Sequence, residues 1–292
     1  MAMSYYIKVN LRAISQGKIL APILEAHRLR DEAFGEFWVA FSSNREEPPQ
    51  EPDSATPAPT NPPLEDPPQL PEEQNITASS DLIPPILAQA TGIVLDVGPG
   101  TGTQMPLLTS PSIKAIYGAE PCIGLHPELR KRAEKEGVSD KYTILPCSVD
   151  AVELGRELEK HNLSPSGREG EGLFDTIITI RVLCSVPNLP STTTDLYKLL
   201  KPGGKLLVVE HTVNPWKTSR GSIVARGLQI IYHALGWRWV MGDCSMDRPT
   251  EELIRSAPGR VEKGVEWESV QVTRCFEGTC MPYLAGVFVK RG

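Results

Sequence analysis

Residues 93–103 read Ile-Val-Leu-Asp-Val-Gly-Pro-Gly-Thr-Gly-Thr, and no other stretch constrains the chain so tightly. Ile93 to Val97 form a short, mostly apolar run of the kind that makes a buried strand. Gly98, Gly100 and Gly102 follow where that strand must turn sharply into a helix. Lacking Cβ atoms, these glycines let the backbone take open dihedrals and approach a ligand closely. Asp96 stands one residue before the strand ends, where its carboxylate can accept hydrogen bonds from loop amides or a ligand amine. The turn is not a P-loop, because no Gly-Lys-Ser/Thr follows. Its glycines are spaced two apart, which departs from the G-x-G-x-x-G dinucleotide pattern.

A formal net charge of -6 argues against a nucleic-acid surface, which needs clustered Lys and Arg. A small-molecule partner is expected instead. The cysteines, Cys122, Cys147, Cys184, Cys244, Cys275 and Cys280, show no C-x-x-C spacing, so buried reduced thiols are expected; only Cys275 and Cys280 stand near enough to meet across a turn. With no H-E-x-x-H motif, no metal is expected. No apolar run is long enough to span a membrane, and Met1 to Asn10 are too polar for a signal peptide, which sets a cytoplasmic location as the expectation.

Three parts follow from the chain's punctuation. Residues 1–44 carry apolar residues at helical spacing, among them Leu11, Ile14, Ile19, Ile23, Leu24, Phe34, Phe37, Trp38 and Phe41. They predict two amphipathic helices broken near Gly17 to Pro22, acting as a lid over a ligand mouth or as an oligomerisation arm. A homo-oligomer through these helices stays open. Residues 45–78 are a proline-rich acidic linker. Residues 79–292 alternate strand and helix. A helix is expected from Asp81 to about Ala90. Strands are expected at Ile93 to Val97, Lys114 to Ala119, Tyr142 to Leu145, Phe174 to Ile180 and Lys205 to Glu210, with helices between them and a polar loop from Ser164 to Gly172. Gly264 to Thr273 and Tyr283 to Val289 then form an antiparallel pair. The expected fold class is α/β: a predominantly parallel sheet with helices on both faces, closed by an antiparallel hairpin and preceded by an N-terminal helical extension.

In such a sheet the ligand lies beyond the carboxyl ends of the strands. That gathers the turn from Asp96 to Gly102, Glu120, Ser148 to Asp150, Ile180 to Ser185 and Glu210 to Asn214 around one mouth. Glu120 can accept both hydroxyls of a ribose, or be a solvated surface carboxylate. Asp150 can accept from an adenine amine, or cap the following helix.

Several motifs in order now carry a resemblance: residues 95–102, then Glu120, Asp150, Phe174-Asp175, and Leu200-Lys201-Pro202-Gly203-Gly204. From Leu82 to Lys290 the chain resembles the class I S-adenosylmethionine-dependent methyltransferases. The resemblance implies a seven-stranded Rossmann-like sheet and S-adenosylmethionine as cofactor. Asp96, Gly98, Gly100, Thr101 and Gly102 would lie at its methionine moiety, Glu120 at its ribose, and Ser148, Val149 and Asp150 at its adenine; Arg181 and Leu183 would also border it. Val182-Leu183-Cys184-Ser185-Val186, Val209-Glu210-His211 and Gly242-Asp243-Cys244 look like the small-molecule and thiol methyltransferases of mammalian endoplasmic reticulum and lipid droplets. Two departures are the proline-rich segment, standing where those enzymes have an apolar anchor, and the charge of Arg181.

The implied reaction is methyl transfer to a small, fairly apolar molecule such as a secondary metabolite, at a thiol or hydroxyl. A scaffold that binds the cofactor without methyl transfer, or a catalyst of a cofactor-assisted rearrangement, is the alternative. His211 is the first candidate for a general base and also reads as a strand-end residue bonded to the backbone. Asp243 comes second. His233, on a packed helix face with Ile230, Ile231 and Leu235, comes after it. Arg181 either orients an acidic acceptor or pairs with Glu210. Cys184 reads as a small buried hydrophobe.

Overall fold

A computed structural model describes residues 2–43, 76–163 and 171–292. Most of the proline-rich linker and of the loop from Ser164 lies outside the described residues. Seven strands form one sheet: β1 Gly92–Val97, β2 Ile113–Ala119, β3 Tyr142–Leu145, β4 Phe174–Ile180, β5 Leu200–His211, β6 Ser269–Cys275 and β7 Tyr283–Val289. Their order is β3-β2-β1-β4-β5-β7-β6. The first five run parallel, whereas β7 is antiparallel to both β5 and β6, as the sequence pattern required.

Alternation along the strands divides the core between the two faces. Leu95, Val97, Ile177, Leu206 and Val208 point to one side, where they meet α6 (Ala151–Lys160), α7 (Leu189–Leu199), α10 (Thr250–Arg255) and α11 (Ala257–Val261) through Leu154, Leu196, Ile254 and Ala257. Val94, Ile116, Ile178, Leu207 and Val209 point to the other, against α4 (Ile83–Leu87) and α5 (His126–Lys135) through Ile86, Leu87 and Leu129. Burial on both faces is why these strands are apolar at nearly every position. Asp175 fixes the sheet's lower edge, with Oδ2 accepting from the Ile93 amide at 2.7 Å and the carboxylate pairing with Lys201 at 2.9 Å.

The chain order reverses between β1 and β4, which are direct neighbours. The crevice that such a reversal creates opens at their carboxyl ends.

Three segments depart from expectation. The helix expected from Asp81 to Ala90 shrinks to α4, because the Asp81 carboxylate accepts the Thr77 and Ala78 amides and closes a turn ahead of it. The strand expected from Gly264 begins only at Ser269. Gly264 has φ +87°, and Trp267 turns into the core with its Nε1 donating to the Ile254 carbonyl. The Lys201 to Gly204 turn is a bulge within β5, with a register shift against β4.

The N-terminal extension comprises α1 (Ala2–Ser15), α2 (Ala21–Leu24) and α3 (Ala26–Ser43). Its own core is small, built on Val9, Ala13, Ala21, Leu29 and Ala33. Leu11, Ile14, Ile19, Ile23 and Leu24, read as a packing face, are exposed. The same reversal holds on α8 (Ile223–Ala234), where Ile230 and Ile231 are exposed, as is Leu235 just beyond it, so His233 does not sit on a packed apolar face with them. Among the described residues no helix is long and apolar enough to cross a membrane.

Candidate functional site

The glycine turn closes over the end of β2, with the Gly98 amide donating to the Ala119 carbonyl at 2.9 Å. Gly98, Gly100 and Gly102 have φ of +60°, +61° and +74°, a region that side-chain-bearing residues rarely occupy. Each also admits a close neighbour, Gly102 admitting Leu129 Cδ1 at 2.9 Å from where a Cβ would stand. A Cβ on Gly98 would fall 2.5 Å from Val182 Cγ2, and one on Gly100 would fall 2.9 Å from Trp38 Nε1. The turn is therefore bordered by the segment after β4 and roofed by α3. Thr101 joins that roof, its hydroxyl donating to Ser42 Oγ at 3.0 Å.

Glu120 is buried rather than solvated. Its Oε2 accepts from the Gly100 amide at 2.9 Å and its Oε1 from the Cys122 amide at 2.8 Å, so it holds the turn directly. Burial raises its pKa, and these amides moderate the rise. Asp96 Oδ2 accepts from the Tyr142 hydroxyl at 2.9 Å. Burial pushes the Asp96 carboxyl up to about 6; the Tyr142 hydrogen bond opposes this and the Glu120 charge adds to it. Two desolvated carboxylates thus face a turn with room for close backbone approach.

A consequence for stability follows from Asp96. Its folded pKa of about 6 lies above the ordinary 3.8. Below the lower value both states hold the proton. Between the two values the unfolded chain ionises first, so stability falls as pH rises and levels off above pH 6, a loss of roughly 3 kcal/mol. Glu210, whose carboxyl burial pushes up to about 7, adds a slope of the same sign. Urea melts of the cofactor-free protein between pH 4 and 7 should show the sum, and Asp96→Asn should make it shallower without abolishing it.

The remaining sequence-derived residues lie at the mouth in varied states. Val149 is buried. Asp150 Oδ1 caps α6, accepting the Val152 and Glu153 amides at 3.0 and 3.2 Å. The Ser148 hydroxyl donates to Glu153 at 2.6 Å. Leu183 is fully buried, and its amide, with that of Val182, donates to Glu210 Oε1 at 2.9 Å. Glu210 is thereby engaged by backbone, and Arg181 does not pair with it. Arg181, at φ +59°, donates from Nη2 to Ser79 Oγ at 2.9 Å and lies 5.8 Å from the Tyr283 ring centroid.

Of the three base candidates, His233 is exposed on α8 and Asp243 is ion-paired with Arg30 of α3 at 3.0 Å. His211 ends β5 and is only 3% exposed, with Nε2 3.2 Å from Cys244 Sγ and Nδ1 without a partner. Burial pulls the imidazole pKa down, but the neighbouring Cys244 and Glu210 outweigh it, and the net shift is upward. Cys184 is buried as expected, yet it is not merely a hydrophobe: Cys184, His211 and Cys244 bring their donor atoms within 4.8 Å of one another. None of the six cysteines, Cys275 and Cys280 included, is in a disulfide. Sequence reasoning missed the role of Cys244. The signal was present, because each member of the cluster stands in one of three short motifs already singled out in the sequence: residues 182–186, 209–211 and 242–244.

Residues 72–255, well over half of the chain, match the family model described as a methyltransferase domain. The chain belongs to this family. A segment of 119 residues is 31% identical to highly reducing polyketide synthase 40 of Fusarium mangiferae, covering 41% of this chain and 4% of that protein. Over 125 residues it is 28% identical to highly reducing polyketide synthase resH of Aspergillus sclerotiorum, again 41% of this chain and 4% of the relative. The chain therefore matches only a small part of the length of these relatives. Among solved structures, an O-methyltransferase family protein from Burkholderia thailandensis aligns with TM-score 0.49 at 12% identity, covering 95% of this chain and 63% of that one. A geranyl diphosphate methyltransferase in complex with S-adenosylmethionine aligns with TM-score 0.49 at 12% identity, covering 73% and 85%.

S-adenosylmethionine is the cofactor of this family's fold, and the site suits it. Asp96 and Glu120 supply buried carboxylate acceptors, which suit a ligand that carries a cationic amine and hydroxyls, and the glycine turn leaves its backbone open to close approach.

Proposed function

We propose that the protein transfers the methyl group of S-adenosylmethionine to the sulfur of a small, fairly apolar thiol. The observation that carries the acceptor atom is the state of the base candidates at the mouth: His211 lies with Nε2 against Cys244, and Asp243 is paired with Arg30. A hydroxyl acceptor requires a general base within reach. A thiol ionises unaided near pKa ~8.5, so selecting its thiolate suffices.

The cofactor supplies a methyl group made electrophilic by the adjacent positive sulfur. The protein's own contribution is placement. Glu120 would receive the ribose hydroxyls while keeping the turn closed, Asp96 would hold the amine, and Val149 and Asp150 would border the adenine. α3 lies over the turn as a lid through Trp38 and Ser42, which excludes water from the reacting atoms. Such positioning accounts for roughly 7–11 kcal/mol of acceleration in favourable cases.

The likeness to polyketide synthases supports a second reading, in which the acceptor is a hydroxylated, polyketide-like molecule. One series of measurements separates the two. Isothermal titration with S-adenosylmethionine and S-adenosylhomocysteine should show micromolar binding. Product mass spectrometry with alkyl thiols, aryl thiols and phenols should then show an added methyl on thiols alone. Methylated phenols with untouched thiols would favour the second reading, and binding without any methylated product would favour a cofactor-binding scaffold.

A further inference from the structure

Three side chains that the proposed reaction does not use converge beside the mouth. Cys184 lies in the segment after β4, His211 is the last residue of β5, and Cys244 lies between α9 (Trp237–Val240) and α10. Their exposures are 3%, 3% and 9%. Their donor atoms all fall within 4.8 Å of one another, with His211 Nε2 and Cys244 Sγ 3.2 Å apart. We propose that Cys184, His211 and Cys244 form a binding site for a thiophilic divalent cation, with zinc the expected occupant.

The donor set points to that class of ion. Two sulfurs and one imidazole suit zinc, whereas magnesium and calcium demand oxygen. Two cysteines and a histidine with a fourth position open is a recurring zinc arrangement, the open place being taken by water or an incoming ligand. Geometry agrees. Zinc–sulfur bonds of about 2.3 Å and zinc–nitrogen bonds of about 2.0 Å in a tetrahedron place the donors roughly 3.5–3.8 Å apart. The His211–Cys244 edge, at 3.2 Å, needs to open by only a few tenths of an ångström to meet that spacing.

Local polarity points the same way. Glu210 Oε2 and His211 Nδ1 are both buried with no hydrogen-bond partner. Uncompensated polar groups of this kind are costly in an interior, and a cation bound to two thiolates would form a net-neutral unit that burial tolerates. The imidazole distinguishes the site from a simple pair of cysteines, because a disulfide between Cys184 and Cys244 has no use for a third donor. The cation would clasp together three segments otherwise remote in sequence: the loop after β4, the end of β5 and the approach to α10. The Cys184 carbonyl already accepts the Ser245 amide at 2.9 Å, so two of these segments meet in the backbone as well.

This inference does not rest on the acceptor atom proposed above, and its readout is the metal itself. The full-length protein, reduced and stripped with a chelator, would be titrated with cobalt(II). The expected result is saturation at one equivalent, with thiolate-to-cobalt charge-transfer absorption in the near ultraviolet and intense tetrahedral bands in the visible, all abolished by zinc. Cys184→Ser and Cys244→Ser should each lose about half of the charge-transfer intensity and weaken zinc binding by about a hundredfold, with His211→Gln weakening it by about tenfold. Cys280→Ser should behave as wild type. Circular dichroism of each variant checks that it is folded, and the wild-type titration tests the proposal without any substitution. Reduced wild-type protein that takes up no cobalt, or takes it up without charge transfer, would overturn the proposal. So would a Cys184–Cys244 disulfide that yields two thiols on reduction but no metal uptake.

Discussion

Glu120→Ala is expected to lower affinity for S-adenosylmethionine by about a hundredfold, to the edge of detection by titration calorimetry. The side chain is 5% exposed and accepts from the Gly100 and Cys122 amides. Removing it strands two amides at the turn and takes away the acceptor proposed for the ribose. An unsatisfied buried donor costs roughly 1–3 kcal/mol, and each 1.4 kcal/mol is about tenfold in affinity. Glu120→Gln keeps one acceptor oxygen in nearly the same volume, so its loss should be about tenfold. A matching thermal melt shows how much of each loss is a collapsed turn. Wild-type affinity in the alanine variant, in a protein that still melts cooperatively, would remove Glu120 from the cofactor site.

The strands of this fold were legible because their chemistry is local. Tyr142–Leu145 and Phe174–Ile180 were read to the residue, each an apolar run bounded by turn-forming or polar neighbours. The antiparallel finish was legible too, since no crossover helix separates β6 from β7. Boundaries failed where a single contact overrode the pattern, as when the Asp81 carboxylate closed a turn and shortened α4. The apolar residues of α1, α2 and α8 misled for another reason. Periodicity marks an apolar face but does not say whether this chain covers it, and Leu11, Ile23, Ile231 and Leu235 are exposed.

The site was legible in outline and not in its pairings. Topology brought the glycine turn, Glu120, Asp150 and His211 to one end of the sheet, as parallel strands require. Which partner each side chain takes depends on segments far away in sequence. Asp243 was a candidate base until Arg30, more than two hundred residues earlier, was found on its carboxylate. Arg181 faces Tyr283 and Ser79, while Glu210 Oε1 is taken by the Val182 and Leu183 amides. No local pattern in the sequence encodes such long-range choices.

Those pairings make α3 the element whose loss is most informative. Trp38 stacks on Phe34 at 5.8 Å and meets Phe41 at 5.7 Å, and its Nε1 lies 2.9 Å from where a Cβ on Gly100 would be. Arg30, at the other end of the helix, pairs with Asp243 and lies 5.2 Å from the Trp239 ring centroid. The helix is thus pinned to the glycine turn at one end and to the acceptor side of the mouth at the other. If it is a lid, Trp38→Ala removes the contact that holds bound cofactor in place. Cofactor dissociation measured by stopped-flow displacement should then accelerate about tenfold, with affinity falling in proportion. Lost aromatic packing should also cost about 1–3 kcal/mol of stability, less than for a fully buried tryptophan. Trp38→Phe should restore most of both. A helix that merely buttresses the domain would give the stability loss with an unchanged dissociation rate, and that outcome would end the lid assignment. Arg30→Ala distinguishes the two anchors: it frees the distal end while leaving Trp38 on the turn, so it should accelerate dissociation by a smaller factor than Trp38→Ala does.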